Sequence, residues 1–163
     1  MFHAEGAFYI RILVVSDSHG DEFSLRFAVA SQSSAGMIIH LGDGQRDMDA
    51  VSASFSATRV VQIRGNGDFA SLAPYSSIET VEGKRIYCTH GHWERVKFGL
   101  YELKSAARAR NAELVLFGHT HVQEYDYDDG LHIFNPGSIA DGKYGVVDIG
   151  QGGIVCLPMK LRF

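Results

Sequence analysis

Five short apolar segments of this 163-residue chain are each followed at once by a polar motif with aspartate, asparagine or histidine. The segments, rich in Val, Ile and Leu, are residues 12–15, 37–41, 60–63, 85–88 and 114–117. Runs of four or five such residues, bounded by glycine and polar residues, predict buried strands. This feature constrains the fold most, because each predicted strand has to end at a group of polar side chains.

Segments with helical spacing lie between these predicted strands. Residues 21–30 begin with acidic side chains, residues 47–55 place apolar side chains about one turn apart, and residues 100–111 carry basic side chains late. Strands and helices that alternate at this repeat length predict an α/β fold with right-handed crossovers and a substantially parallel sheet.

The pattern changes after Asp126, where glycine-rich turn signals separate short apolar segments. Residues 131–134, 144–149 and 154–157 predict antiparallel strands, which can form a second sheet packed on the first. Residues 1–9 have no periodic pattern and are interpreted as an N-terminal extension. The rest of the chain, residues 10–163, is interpreted as a single domain.

Composition excludes several classes of function. A formal net charge of −4 argues against nonspecific nucleic-acid binding through charge. No apolar run is long enough for a membrane span, and the N-terminal segment lacks a signal-peptide layout, so we expect no membrane association. Cys88 and Cys156 lie far apart without CxxC spacing, which is typical of a cytoplasmic protein without disulfides or a thiolate zinc site.

The polar motifs at the ends of the predicted strands contain side chains that bind metals. They are Ser16-Asp17-Ser18-His19, Gly42-Asp43, Gly65-Asn66-Gly67-Asp68, Thr89-His90-Gly91-His92 and Gly118-His119-Thr120-His121. Each alone has an ordinary explanation as a turn, a helix cap or a buried histidine. Together they are expected to converge, since α/β folds bind ligands beyond the carboxyl ends of their strands. If the extended conformation persists, Asp17 and His19 point the same way.

The expected metal ligands supply oxygen and nitrogen but no sulfur. They are Asp17, His19, Asp43, Asn66, His90, His119 and His121. Such a set suits Mn, Fe, Ni, Co or Zn and disfavours a closed structural zinc site. Seven ligands exceed the needs of one ion, whereas two cations about 3.5–4 Å apart can clamp the attacking and leaving oxygens of a phosphoryl displacement. We therefore expect two divalent ions, with Mn²⁺ favoured over Ni²⁺, Fe²⁺, Co²⁺ or Zn²⁺.

The ordered set of motifs resembles the calcineurin-like metallophosphoesterase superfamily, and its shorter YfcE-type phosphodiesterases look closest. The resemblance runs from Ile10 to about Ser138. It implies a four-layer α/β/β/α sandwich of two mixed sheets flanked by helices. It further implies that Asp17, His19 and His121 hold one metal, while Asn66, His90 and His119 hold the other. Asp43 would bridge both, and a hydroxide held between the ions would attack phosphorus in line with the leaving alcohol.

One position departs from the family pattern. Many members have a histidine directly after the Gly-Asn pair, where this chain has Gly67. His92 is our candidate for the missing general acid, and the alternative is that it only orients His90. We expect Asp68 to hydrogen-bond near Asn66 or His90 behind the metal ligands, with a helix N-cap as the alternative.

The predicted function is hydrolysis of a small phosphodiester or nucleotide-like substrate. One alternative is a non-catalytic protein-interaction scaffold on the same fold, although such relatives tend to have lost metal ligands that are all present here. A second alternative is a metal-binding module without turnover. The physiological substrate, the native metal and the oligomeric state remain open at the level of sequence.

Overall fold

The structure is a computed structural model that describes residues 8–55 and 58–163. Its strands are β1 (Tyr9–Val15), β2 (Met37–His40), β3 (Arg59–Gln62), β4 (Ser76–Val81), β5 (Lys84–Thr89), β6 (Leu114–Leu116), β7 (Glu124–Asp128), β8 (Leu131–Asn135), β9 (Lys143–Gly150) and β10 (Gly153–Lys160). Its helices are α1 (Glu22–Ser31), α2 (Gln45–Ser52) and α3 (Tyr101–Ala109). Most of the expected N-terminal extension lies outside the described residues, and Tyr9 already belongs to β1.

The strands form two five-stranded mixed sheets. One has the order β10-β9-β1-β2-β3, with β1, β2 and β3 parallel and β9 antiparallel to β1. The other has the order β4-β5-β6-β8-β7, with β5, β6 and β8 parallel and both edge strands antiparallel. Helices α1 and α2 connect the parallel strands of the first sheet, and α3 connects β5 to β6. The α/β crossovers predicted from the sequence are confirmed.

Three apolar layers hold the sandwich together. Ile12 and Val14 face the second sheet in the central layer, while Leu13 and Val15 face the helices. This alternation explains why β1 is apolar throughout: both of its faces are buried. Leu103 and Ala107 of α3 pack on the outer face of the second sheet. The four-layer α/β/β/α sandwich is therefore confirmed.

The C-terminal third is arranged differently from the prediction. Its strands do not form a sheet of their own: β7 and β8 join the second sheet, while β9 and β10 join the first. The reason is burial, because β9 is buried along almost its whole length and so fits in the interior of a sheet. Two edge strands, β4 and β7, were not predicted, since they are polar and largely lack an apolar run.

Within residues 8–55 and 58–163, no helix has the length and apolar character needed to cross a membrane.

Candidate metal centre

The polar motifs lie at the carboxyl ends of β1, β2, β3, β5 and β6. Parallel strands within each sheet bring these ends to one edge. The structure brings side chains of four motifs within ion-pair distance of one another, namely Asp17, His19, Asp43, His90 and His121. Motifs far apart in the chain therefore share one site.

One compact group consists of Asp17, His19 and His121. Oδ1 of Asp17 lies 3.4 Å from Nε2 of His19 and 3.2 Å from Nε2 of His121. The two imidazole Nε2 atoms are 3.2 Å apart. One carboxylate and two imidazoles offered at such distances form a suitable nitrogen and oxygen ligand set for a divalent cation.

A second compact group consists of Asp17, Asp43 and His90. Oδ2 of Asp43 lies 3.4 Å from Nε2 of His90 and 3.8 Å from Nε2 of His19. Oδ1 of Asp17 lies 3.9 Å from Nε2 of His90. Asp43 thus approaches one histidine from each of the two expected ligand sets, and Asp17 belongs to both compact groups.

Two buried polar atoms in this cluster have no hydrogen-bond partner: Oδ1 of Asp17 and Nε2 of His90. The other oxygens of the carboxylates are held in place, since Oδ2 of Asp17 accepts hydrogen bonds from Ser16 and the His119 amide. Likewise, Oδ1 of Asp43 accepts from the Gly67 amide at 2.7 Å. Buried donors and acceptors are normally satisfied, so unpartnered atoms that converge on one point fit a bound metal ion.

Five of the seven expected ligands have a left-handed backbone. They are Asp17 (φ 56°), His19 (φ 44°), Asp43 (φ 57°), His119 (φ 71°) and His121 (φ 64°). Non-glycine residues rarely adopt this conformation, and it tends to persist at functional sites. The expectation that Asp17 and His19 converge through an extended backbone is therefore wrong: β1 ends at Val15, and the strained turn brings them together.

His119 and Asn66 occupy different surroundings from the compact groups. The His119 ring lies beside the His90 ring, with centroids 5.0 Å apart. Asn66 is exposed, in the turn between Gly65 and Gly67 that wraps around Asp43. The His119 ring thus packs against His90 of the cluster. The backbone turn that contains Asn66 lies next to Asp43.

Asp68 holds the loop that carries Asp43. Its carboxylate accepts hydrogen bonds from the backbone amides of Asp43, Gly44, Gln45 and Gly65 at 2.8–3.1 Å. It therefore satisfies the amides that lead into α2 from outside the helix, as well as the amide of Gly65, which is next to Asn66.

His40 is a positioning residue that the sequence analysis assigned no role. It is fully buried, its Nδ1 accepts from the Gly42 amide at 3.1 Å, and its Nε2 lies 3.1 Å from Oγ of Ser18. Ser18 in turn donates to Asp47 at 2.6 Å. Since the Ser18 proton goes to Asp47, Nε2 of His40 carries the proton donated to Ser18. This hydrogen-bonded chain connects the Asp17 loop to the Asp43 loop.

The Asn135-Pro136-Gly137-Ser138 turn also supports the site. The side-chain amide of Asn135 donates to the Gly118 carbonyl and to the Thr120 hydroxyl, on either side of His119. Ser138 donates to the Asp17 carbonyl at 2.8 Å. The turn between β8 and β9 therefore fixes two of the loops that carry expected ligands.

Burial and charge shift the pKa values of several groups in the cluster. Burial opposes ionisation of Asp43, but the nearby His90, whose Nε2 lies 3.4 Å from Oδ2 of Asp43, holds the pKa of Asp43 below its usual range. Burial likewise lowers the pKa of His90, yet Asp43 and Asp17 outweigh it and leave that pKa raised. Burial, followed by the nearby His90, lowers the pKa of His92 and brings the pKa of His119 to about 4. A neutral imidazole is the form that binds metal.

His92 lies between the metal candidates and two aromatic residues. Its ring centroid is 5.5 Å from that of His90, 5.9 Å from that of Tyr75 and 5.6 Å from that of Trp93. Nδ1 of His92 is buried without a hydrogen-bond partner. The ring is placed to contact a group bound at the centre.

Two cavities open beside the cluster. One, of about 530 Å³, is lined by His19 and Asp43 together with Arg46, Asp47, Asp49, Asp68 and Phe69. The other, of about 410 Å³, is lined by Trp93 and Tyr75, which contact His92. Two candidate metal ligands line the first cavity, whereas the second has none in its lining and is connected to the cluster through the ring contacts of His92.

The chain is similar to known proteins in both sequence and fold. Residues 10–151 match the calcineurin-like phosphoesterase superfamily domain. A probable metallophosphoesterase from Bacillus subtilis, YsnB, is 30% identical over 131 residues, which is 80% of this chain and 75% of that protein. The phosphodiesterase YfcE from Escherichia coli is 24% identical over 169 residues, with coverage of 85% of this chain and 88% of that protein.

Solved structures agree with this match. A conserved Streptococcus pneumoniae protein, described as a predicted phosphoesterase, superposes with a TM-score of 0.75 at 23% identity and covers 93% of this chain and 99% of its own. Vacuolar protein sorting 29 from Cryptosporidium parvum superposes with a TM-score of 0.78 at 16% identity, covering 95% and 93%. At such identities these structures show the fold alone.

The fold and the cluster of histidines and aspartates define a metal-dependent phosphoesterase. The chain belongs to the calcineurin-like phosphoesterase superfamily.

Proposed function

We propose that this protein is a phosphodiesterase that uses two divalent metal ions, with Mn²⁺ favoured. The observation that carries the proposal is the pair of buried, unpartnered atoms, Oδ1 of Asp17 and Nε2 of His90, inside a cluster of aspartates and histidines. Such a pair of ions acidifies water to supply a nucleophile at neutral pH and neutralises charge on the phosphoryl oxygens.

The proposed division of ligands is the one that the family resemblance implies, and its first set coincides with one of the two compact groups. Asp17, His19 and His121 would hold one ion, while Asn66, His90 and His119 would hold the other. Asp43 would bridge them, which is supported by its approach to both His19 and His90. Two divalent ions against two aspartates leave an excess of about two positive charges, and this excess attracts a phosphate anion.

Preference for a diester over a monoester is supported by the two cavities. A phosphodiester carries two ester groups on phosphorus; one would occupy the cavity lined by His19 and Asp43, and the other would extend past His92 toward the cavity at Trp93 and Tyr75. His92, on the side of the aromatic cavity, would donate a proton to the leaving oxygen there. Asp68 and His40 would keep the Asp43 and Asp17 loops in the geometry that the ligands require.

The proposed domain spans residues 10–163, because β10 extends to Lys160 and pairs with β9 along its length. The proposed location is the cytoplasm, which is supported by two free cysteines, Cys88 and Cys156. A non-catalytic interaction scaffold is the alternative on the same fold.

A comparison of two chromogenic substrates tests the diester preference. Protein loaded with Mn²⁺ is expected to hydrolyse bis-p-nitrophenyl phosphate with a higher kcat/KM than p-nitrophenyl phosphate. A higher kcat/KM for the monoester would overturn the preference. Hydrolysis of neither compound by protein with confirmed bound metal would favour the scaffold or a metal-binding module.

A further inference from the structure

The cavity beside His92 has a lining unlike that of the acidic cavity at His19 and Asp43. Its volume is about 410 Å³, and its lining includes Tyr75, Tyr87, Trp93, Glu94, Glu102 and Arg110. Among the residues that the structure describes, none lines both cavities. Aromatic side chains and hydrogen-bonding groups that share one concave surface are typical of sites for planar, polar ligands.

Contacts between rings connect this cavity to the metal candidates. The His92 ring lies 5.5 Å from the His90 ring on one side and 5.6 Å from the Trp93 ring on the other. Tyr75 packs edge-on against Trp93, with centroids 5.5 Å apart. One arm of a molecule whose phosphate is bound at the cluster would therefore reach Trp93 and Tyr75.

The two outer aromatic residues are exposed although they are large. Trp93 is 64% exposed and Tyr75 is 42% exposed. The guanidinium of Arg64 lies 5.1 Å from the centroid of the Tyr75 ring and helps to hold that ring in place. Exposed, fixed aromatic rings offer faces on which a nucleobase stacks.

A buried carboxylate supplies the polar part of the lining. Glu94 accepts hydrogen bonds from the Tyr87 hydroxyl at 2.7 Å and from the Thr89 hydroxyl at 2.8 Å. Burial, with a further contribution from Glu94, raises the pKa of Tyr87 to about 12, so this hydroxyl remains a donor. Because the Glu94 carboxylate only accepts hydrogen bonds, a ligand group that binds to it has to be a donor, such as an amino group.

The charged side chains of the lining are Glu94, Glu102 and Arg110, and the Arg110 guanidinium lies 4.7 Å from the centroid of the Tyr87 ring. Arg95 lies 3.8 Å from Glu102 and offsets its charge, so the buried Glu94 is the carboxylate that remains to accept a hydrogen bond from a ligand. Together with the aromatic rings, this acceptor favours a flat occupant equipped with hydrogen-bond donors.

We propose that this cavity binds the nucleobase of a nucleotidyl phosphodiester and prefers bases that carry an exocyclic amino group. The base stacks on the face of one of the two perpendicular rings, Trp93 or Tyr75, and contacts the other ring with its edge, while its amino group donates to Glu94. The inference rests on the proposed function, because the phosphorus of the same substrate lies at the metal centre.

Binding is tested without catalysis on metal-free protein, because Trp93 is the only tryptophan of the chain. Its indole N–H signal in a ¹H–¹⁵N NMR spectrum reports the cavity directly. Adenosine and cytidine are expected to shift this signal saturably, uridine to bind about tenfold more weakly, and ribose to have no effect. Equal binding of adenosine and uridine would overturn the amino-group preference.

Variants assign the effect to the cavity. Tyr75→Ala is expected to weaken adenosine binding roughly tenfold. Phe98→Ala, which removes an exposed aromatic side chain outside the cavity lining, serves as the matched control and is expected to change nothing. Unchanged adenosine binding in Tyr75→Ala would contradict the stacking surface.

Kinetics separate this inference from the proposed function. The p-nitrophenyl ester of deoxyadenosine 5′-phosphate is expected to have a kcat/KM roughly tenfold above that of methyl p-nitrophenyl phosphate. Trp93→Ala is expected to reduce that ratio, and Phe98→Ala to preserve it. Equal kcat/KM values together with no adenosine shift would overturn the nucleobase site and leave the phosphodiesterase intact. An adenosine shift without hydrolysis would support the nucleobase site and overturn the proposed function.

Discussion

Oγ of Ser18 lies 3.1 Å from Nε2 of His40, and this contact joins the loop that carries Asp17 and His19 to the end of β2. At its other nitrogen, His40 accepts a hydrogen bond from Gly42, next to Asp43. A single buried imidazole thus fixes the relative position of two loops that carry metal candidates. Its protonation state should therefore affect folding.

His40 gives a prediction for the pH dependence of stability. Burial lowers the pKa of His40 to about 4, against an ordinary value of 6.5. As the pH falls, the imidazole of His40 is protonated in the unfolded chain before it is protonated in the folded protein. The contribution of neutral His40 to the free energy of unfolding is therefore complete above pH 6.5 and is lost as the pH falls toward 4. Metal-free protein is expected to lose about 2 kcal/mol between pH 7 and pH 5 through this residue.

Urea denaturation of His40→Asn at several pH values checks this prediction. Asparagine retains an acceptor for the Gly42 amide but does not titrate. The variant is expected to show a smaller slope of unfolding free energy against pH than the parent, whatever its absolute stability. An identical slope would exclude His40 as the source of the pH dependence.

Substitutions of Asp43 and Asp17 are expected to change the metal content of the protein differently. If Asp43 bridges the ions, Asp43→Asn loses both of them, whereas Asp17→Asn retains the ion held by Asn66, His90 and His119. The measurement is metal per chain after dialysis against a weak chelator. Loss of both ions in Asp17→Asn, with one retained in Asp43→Asn, would move the bridge to Asp17, whose Oδ1 belongs to both compact groups.

His92 is expected to act on the leaving group. His92→Ala should lower kcat by about 100-fold or more for an unsubstituted phenyl diester, which needs a proton at the leaving oxygen. The loss should be smaller for the p-nitrophenyl diester, because p-nitrophenolate leaves without one. Equal losses with both substrates would indicate that His92 only orients His90.

Asp68 is expected to stabilise the fold as well as the site. Asp68→Asn leaves one oxygen for four backbone donors and should cost about 2 kcal/mol in unfolding free energy. Asp49→Asn is the matched control, because Asp49 lies on the exposed side of α2 and its carboxylate accepts one hydrogen bond, from Gln62. Similar losses in the two variants would show that charge, rather than the four hydrogen bonds, accounts for the effect.

Much of this architecture could be predicted because apolar strands and polar strand ends follow directly from local sequence. The α/β crossovers were predicted in this way, while the order of layers came from the family resemblance. Strands β4 and β7 were missed since edge strands need no apolar run. The placement of β9 beside β1 depends on pairing across the chain, which periodicity does not encode.

The site was predicted by residue type but not by its local geometry. Side chains of five of the seven expected ligands do meet, yet the extended backbone assumed for Asp17 and His19 is replaced by left-handed turns. His40 and Glu94 were assigned no role because an isolated histidine or glutamate carries no spacing signal. Their functions follow only from burial and from hydrogen bonds to loops distant in sequence.

The central claim is a metal-dependent phosphodiesterase centred on Asp43, and hydrolysis of bis-p-nitrophenyl phosphate tests it most directly. Metal-stripped protein is expected to be inactive, to regain turnover when reloaded with Mn²⁺, and to lose that turnover in Asp43→Asn. Asp126→Asn, which changes an exposed aspartate of the edge strand β7 outside both cavities, should retain it. Full metal-restored turnover in Asp43→Asn, or none in the parent protein with any divalent metal despite confirmed binding, would contradict the account.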